Sequence, residues 1–165
     1  MIFTTKAEYG VRLLVELGCQ SSDRPVSLKA IAQAEGLPLA YLERIVARLK
    51  KAGLVAATRG AHGGYRLGRD PAGVTMDEVV LILEGGVAPM SCFAQEPDAE
   101  GRVLCSHESD GGDGCATKLL WTRVQGGVLR ALRQTTLSEL IAFAQRGGPL
   151  SLTARQAEAP TPLHL

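Results

Sequence analysis

The chain has 165 residues, of which 45% are hydrophobic and only 4% aromatic, and a formal charge of +1. That size holds one ordinary domain, or a small domain with an extension, with a core built mainly from Leu, Val, Ile and Ala. No apolar run approaches the ~20 residues of a membrane helix, and Lys6, Glu8 and Arg12 interrupt the opening stretch, which excludes a secretory leader. The reading is a cytoplasmic protein whose thiols stay reduced. Charge is unevenly spread: residues 1–70 carry 11 Lys/Arg against 6 Asp/Glu, and residues 71–165 carry 7 against 11. A basic front and an acidic rear suit a nucleic-acid-binding module joined to a regulatory one.

Residues 5–18 read as a first helix, with Tyr9, Leu13 and Leu17 in one row and Ala7, Val11 and Leu14 in the next. Asp23-Arg24-Pro25 makes a turn. Ser27 is positioned to cap a second helix whose Leu28, Ile31 and Ala32 face inward, and Gly36 ends it. Pro38 opens a third helix that stops at Gly53. Leu54–Arg59 and Tyr65–Arg69 read as two short strands around a Gly60-Ala61-His62-Gly63-Gly64 hairpin tip. This is the order of a winged helix-turn-helix, so the fold is mostly α with a small β-wing.

Thr75 and Glu78 have the spacing of a capping box for a fourth helix over 76–84. Residues 86–115 show no period and hold Cys92, Cys105 and Cys115, three of the four cysteines; a loop of that length in a compact domain needs a function or is disordered. A long helix is expected from Thr117, with Leu120, Val124 and Val128 in one stripe and Trp121, Leu129 and Leu132 beside it. Gly126-Gly127 weaken it locally or admit a partner helix. Thr136 and Glu139 suggest a second capping box and a short helix over 137–145. The division expected is 1–73 as the winged module, 74–146 as a sensor and dimerisation region, and 147–165 as a disordered tail.

The third helix has two faces. Leu42, Ile45, Val46 and Leu49 fall on the buried side, and Tyr41, Arg44, Arg48 and Lys51 form an outward stripe beside Ala40, Glu43, Ala47 and Lys50. Small residues let a backbone enter the major groove, Arg reaches guanine or phosphate, and Glu43 can accept from a cytosine amino group. In the wing, Arg59 precedes glycines that let the backbone approach DNA closely. The candidate DNA-binding set is Ser27, Leu39, Ala40, Tyr41, Glu43, Arg44, Arg48, Arg59, Gly60, His62 and Gly63. A solvated basic helix face is the bland alternative for the same residues.

The clustered thiols have three readings in a reducing compartment: a metal centre, with iron or zinc as the soft-ligand partner, or a thiol switch. No C-x-x-C pair, the usual sign of zinc, is present. His107, two positions from Cys105, can supply a fourth ligand. Cys19, at the end of the first helix, reads as a small buried packing residue. A cysteine-dependent enzyme finds little support: His107 is the one candidate base, and no phosphate loop, dinucleotide fingerprint or Gly-x-Ser-x-Gly elbow occurs.

The run Pro38-Leu39-Ala40-Tyr41-Leu42-Glu43 with Leu49 and Gly53-Leu54-Val55, then Arg59-Gly60 and Gly63-Gly64-Tyr65-Arg66-Leu67-Gly68, closely resembles the winged-helix regulators typified by IscR and NsrR. Thr4–Leu14, Val74–Gly85 and Leu120–Leu140 are similar to them too. The resemblance implies a homodimer crossing through the long C-terminal helix, a palindromic double-stranded DNA operator, and three loop cysteines holding an iron–sulfur cluster, with 2Fe–2S preferred to 4Fe–4S. It also makes Glu8, supplied by the second subunit, the rival of His107 as fourth ligand. The chain departs from that pattern in its cysteine intervals, which are 12 and 9 residues and wider than usual for the family.

Overall fold

A computed structural model describes residues 3–20, 24–60, 62–90 and 116–146. Its elements are α1 (Thr5–Cys19), α2 (Leu28–Glu35), α3 (Leu39–Lys51), β1 (Val55–Thr58), β2 (Gly64–Leu67), a 3-10 turn (Pro71–Gly73), α4 (Met76–Glu84), α5 (Ala116–Gln134) and α6 (Leu137–Gln145). This is the expected mostly helical chain with a small antiparallel wing. The strands are shorter than expected at both outer ends, pairing Val55 with Leu67 and Thr58 with Gly64.

The periodicities do build the core. Leu13 and Leu14 of α1, Ile31 of α2, Leu42 and Leu49 of α3, and Val79 and Leu83 of α4 are fully buried together. Fully burying an aliphatic side chain of this size stabilises by about 1.5–3 kcal/mol, so these residues set how the helices pack. The same core takes in Leu137 and Ile141 of α6, which therefore closes back on the N-terminal helices. A backbone link fixes that closure: Met76 N donates to the Thr135 carbonyl at 2.9 Å and Leu137 N to the Val74 carbonyl at 2.8 Å.

Helix ends follow their caps, with one exception. Ser27 Oγ accepts from Ala30 N at 3.2 Å and Gly36 ends α2 in the left-handed conformation, φ 64°. Pro38 sits at the N-cap of α3 and offers no side-chain bond. The Thr136–Glu139 capping box forms in full. The Thr75–Glu78 box does not: Thr75 Oγ1 donates to Asp77 Oδ1 at 2.5 Å, and Glu78 is drawn away to Arg69 at 2.5 Å. Both partners of the box thus have stronger charged alternatives.

α5 rises about 28 Å at 1.5 Å per residue and runs unbroken through Gly126-Gly127. Its C-terminal half packs Val128, Leu129 and Leu132 on Ala7, Val80 and Val87, and Gln125 Nε2 donates to the Val87 carbonyl at 2.6 Å. Its N-terminal half leaves the described body, with Leu119 and Leu120 58% and 54% exposed.

Two buried carboxylates tie the helices together. Asp77 accepts from Thr75, which lowers its pKa; burial works in the opposite sense, and Arg133 Nε at 3.0 Å adds to the lowering. For Glu84, burial would raise the pKa, but hydrogen bonds from Thr4 and Ala7 outweigh it and the value is lowered. Both groups therefore bind their protons less tightly folded than unfolded. Their contribution to stability is complete above the unfolded carboxylate range, about pH 4–4.5, and is lost as pH falls through the lower folded values. Denaturant titrations from pH 6 down to pH 3 should show stability falling through that window, and Asp77→Asn combined with Glu84→Gln should flatten the fall; an unchanged slope would refute the assignment.

Candidate nucleic-acid interface

α3 presents the two faces its spacing predicts. Leu42, Ile45, Val46 and Leu49 are buried, whereas Leu39, Ala40, Glu43, Arg44, Ala47, Arg48, Lys50 and Lys51 are exposed. Burial of one face holds the helix, so the opposite face is a rigid platform of small, acidic and basic side chains.

Two members of the outward stripe have intramolecular partners. Tyr41 is half-buried, edge-on to Tyr9 of α1 with ring centroids 5.6 Å apart, and its hydroxyl lies 3.3 Å from Thr5 Oγ1. Arg48 Nη1 donates to the main-chain oxygen of Leu83 at 3.1 Å. Helical spacing shows which side of a helix a residue starts from; it does not show where a long side chain ends, and both residues reach around to neighbours.

The wing is pinned beside the start of α2. Val26 N donates to the Tyr65 carbonyl at 2.9 Å and Tyr65 N to the Val26 carbonyl at 2.8 Å, so the residue before Ser27 pairs with β2. Gly64 allows this approach, since a Cβ there would stand 2.5 Å from the Val26 carbonyl oxygen. At the tip Gly60 has φ 116°, which an L side chain rarely adopts, and Gly63 N closes a turn on the Gly60 carbonyl at 2.9 Å. Arg59 and His62 are exposed at this tip.

A shallow groove between the wing and the start of α2 is lined by Arg24, Pro25, Ser27, His62 and Gly63. It brings together Ser27, His62 and Gly63 of the expected set and adds Arg24, which sequence reasoning passed over as part of a turn. Its position next to Pro25 gave no periodic signal; only the Val26–Tyr65 pairing brings it to the wing.

Cys92, Cys105, Cys115 and His107 lie outside the described residues, as does the 147–165 segment. Glu8 is described. Its side chain is 61% exposed and 3.8 Å from Arg12 Nη1. Arg12 is more closely engaged by Glu35, through Nε–Oε2 at 2.7 Å and a bond to the Glu35 main-chain oxygen. Glu8 thus retains an open carboxylate, the property a ligand needs. Cys19 is half-buried at the end of α1, and burial raises its pKa, with Glu16 and Glu35 adding to the effect; it packs against the core from the edge rather than lying buried within it.

A family model described as Rrf2, iron-dependent transcriptional regulator, matches residues 3–142. The HTH-type transcriptional regulator IscR of Yersinia enterocolitica is 34% identical over 141 residues, 86% of this chain and 79% of that protein. The solved structure of CymR, the global cysteine regulator of B. subtilis, is 34% identical with a TM-score of 0.66, covering 87% of this chain and 98% of that one. The solved IscR of T. potens is 30% identical with a TM-score of 0.69, covering 93% and 96%. All are regulators rather than enzymes.

The wing geometry carries its own test. Gly64→Val should break the Val26–Tyr65 pairing and speed amide exchange at both residues, while the Leu54 amide, bonded to Leu49, keeps its rate. Unchanged exchange at Val26 and Tyr65 would show that the approach does not need glycine.

Proposed function

This chain belongs to the Rrf2 family and is a DNA-binding transcriptional regulator; from that premise we propose a homodimer that reads a palindromic operator and adjusts its grip through an iron–sulfur cluster. The observation that carries the DNA-reading part is α3, held by four buried aliphatic residues and exposing Ala40, Glu43 and Arg44 on the other side.

In this reading residues 1–73 form the DNA-reading unit. Arg44 donates to guanine O6 and N7 or to phosphate, Glu43 accepts from a cytosine amino group, and Leu39 and Ala40 meet thymine methyls. Tyr41 braces α3 against α1 and so orients its neighbours. Arg59 enters the minor groove at the glycine tip, and Arg24, Ser27, His62 and Gly63 take a backbone phosphate in their groove. Residues 74–146 form the sensing and dimerisation region. Leu119 and Leu120, exposed in a single chain, are covered by the α5 of a second copy, and a two-fold dimer matches a palindrome with half-sites about 34 Å apart or a multiple. Residues 147–165 are a tail outside both. Among the described residues no helix is long and apolar enough to cross a membrane, and the proposal places the regulator with its DNA in the cytoplasm.

Cys92, Cys105 and Cys115 would hold the cluster, 2Fe–2S in preference to 4Fe–4S, because three thiolates are soft anionic donors suited to iron. Glu8 is preferred to His107 as the fourth ligand because its carboxylate is exposed and loosely paired. When bound, the cluster supplies a centre sensitive to oxidation and iron supply. Cys92 follows Glu84 by eight positions and Cys115 directly precedes Ala116, so thiolates drawn together tie the exit of α4 to the entry of α5. The wide cysteine intervals and the similarity to a cysteine regulator favour one second reading, a thiol-switched regulator.

Protein purified without oxygen should be coloured, with iron and sulfide in stoichiometric amounts, and Cys92→Ser, Cys105→Ser and Cys115→Ser together should abolish the colour without unfolding the chain. Colourless protein that cannot be reconstituted would remove the cluster; zinc in its place, or an oxidant-dependent change in DNA binding without metal, would identify the alternative. Separately, Arg59→Ala should weaken binding to a selected duplex by about tenfold or more, on the scale of ~1–3 kcal/mol per specific Arg contact, with steep salt dependence in both proteins. Unchanged affinity would remove the wing from the interface.

A further inference from the structure

Leu83 and Glu84, the last two residues of α4, each fasten a different helix. The carbonyls in the last turn of a helix lack intrahelical partners, and that of Leu83 accepts from Arg48 Nη1 of α3 at 3.1 Å. A guanidinium there also faces the negative end of the α4 dipole. The Leu83 side chain, fully buried, lies over Gly10 of α1: a Cβ on Gly10 would stand 2.2 Å from Leu83 Cδ1 and 3.5 Å from Ile45 Cγ2 of α3. Glu84 Oε1 accepts from Thr4 N at 3.1 Å, Thr4 Oγ1 at 2.6 Å and Ala7 N at 3.1 Å. It thereby caps α1 from 80 positions away and places an anion at the positive end of that helix. Just beyond, the Val87 carbonyl is held by Gln125 of α5.

We propose that Arg48 and Glu84 are positioning residues that lock α3 and the first turn of α1 to the end of α4, so that whatever reorders the chain after Val87 re-aims the DNA-reading helix. This deepens the proposed function and rests on its assignment of α3 to DNA; it holds for a metal or a thiol signal alike. Arg48 then serves the interface from behind, through Leu83, and its guanidinium stays with α4 when DNA binds. Coupling between two sites is reciprocal, so DNA bound at α3 must tighten the end of α4.

The test uses the full chain with a duplex selected from random-sequence DNA, reading amide hydrogen exchange with and without that duplex. DNA should slow exchange of the α3 amides and, in the same sample, of Lys6, Ala7 and Gly85 by about fivefold or more, the lower end of typical coupling. Arg48→Met should keep the α3 effect and lose the transmitted one at Gly85, and Arg48→Lys, which retains a donor, should restore part of it. Glu84→Ala should lose the response at Lys6 and Ala7, whereas Glu84→Gln, which keeps an acceptor, should retain more of it. Protection of α3 without any change at Gly85, or full transmission in Arg48→Met, overturns the proposal. If DNA leaves the α3 amides themselves unchanged, the assignment of α3 has failed and the proposal falls with it.

Discussion

The packing of α1, α3 and α4 depends on one close approach, the seating of Leu83 over Gly10. Three helices meet there, because Ile45 of α3 borders the same notch. Number, rather than strength, divides the labour. Burying a Leu or Ile is worth about 1.5–3 kcal/mol, and a hydrogen bond to a charged group about as much. Four buried side chains, Leu42, Ile45, Val46 and Leu49, set where the axis of α3 lies, while the single Arg48 bond adjusts its pose within that limit and the Glu84 bonds do the same for the start of α1. Directional bonds so few in number can rearrange without unfolding the core.

The parts of the fold legible in the sequence were those decided by neighbours along the chain. The periods of α2 and α3 predicted their buried faces residue by residue; that of α1 found Ala7, Leu13, Leu14 and Leu17 but missed Gly10, and its Tyr9 and Val11 are half-buried. The glycines around His62 marked the wing. The two T-x-x-E sequences show where such reading stops. At Thr136 both halves of the box bond each other; at Thr75 the hydroxyl goes to Asp77 and Glu78 goes to Arg69. Nothing in the four-residue motif separates these outcomes, because competing charges brought in by the fold decide them. Glu84 was equally silent, read only as the end of a helix, since its three bonds reach to Thr4 and Ala7. Arg24 gained a place at the candidate interface only through the pairing of Val26 with Tyr65.

α5 illustrates a different gap. Its apolar stripe was legible, and half of it found a partner within the chain, at Ala7, Val80 and Val87. The other half, with Leu120 and the neighbouring Leu119, is exposed among the described residues. A period of 3.6 tells that a face will be covered and is silent on which molecule covers it. A second copy offers the same stripe, and the open space over Gly126 and Gly127, where added Cβ atoms would meet nothing within 4 Å, leaves backbone accessible at the middle of the helix.

In the proposed function, charge constrains how the cysteine-bearing segment would influence DNA. Residues 92–115 hold Glu96, Asp98, Glu100, Glu108, Asp110 and Asp113 against Arg102 alone, so phosphates repel the segment and direct contact with the duplex is disfavoured. Influence through the field alone is also weak, because exposed charges are largely screened beyond about 8 Å at physiological salt. What remains is mechanical. The segment leaves α4 only a few residues after Glu84, at the point where α4 holds α1 by a carboxylate and α3 by a carbonyl. In the proposed function, a signal gathered by that segment would have a short covalent path to α1 and α3, through the turn at the end of α4 where both are held.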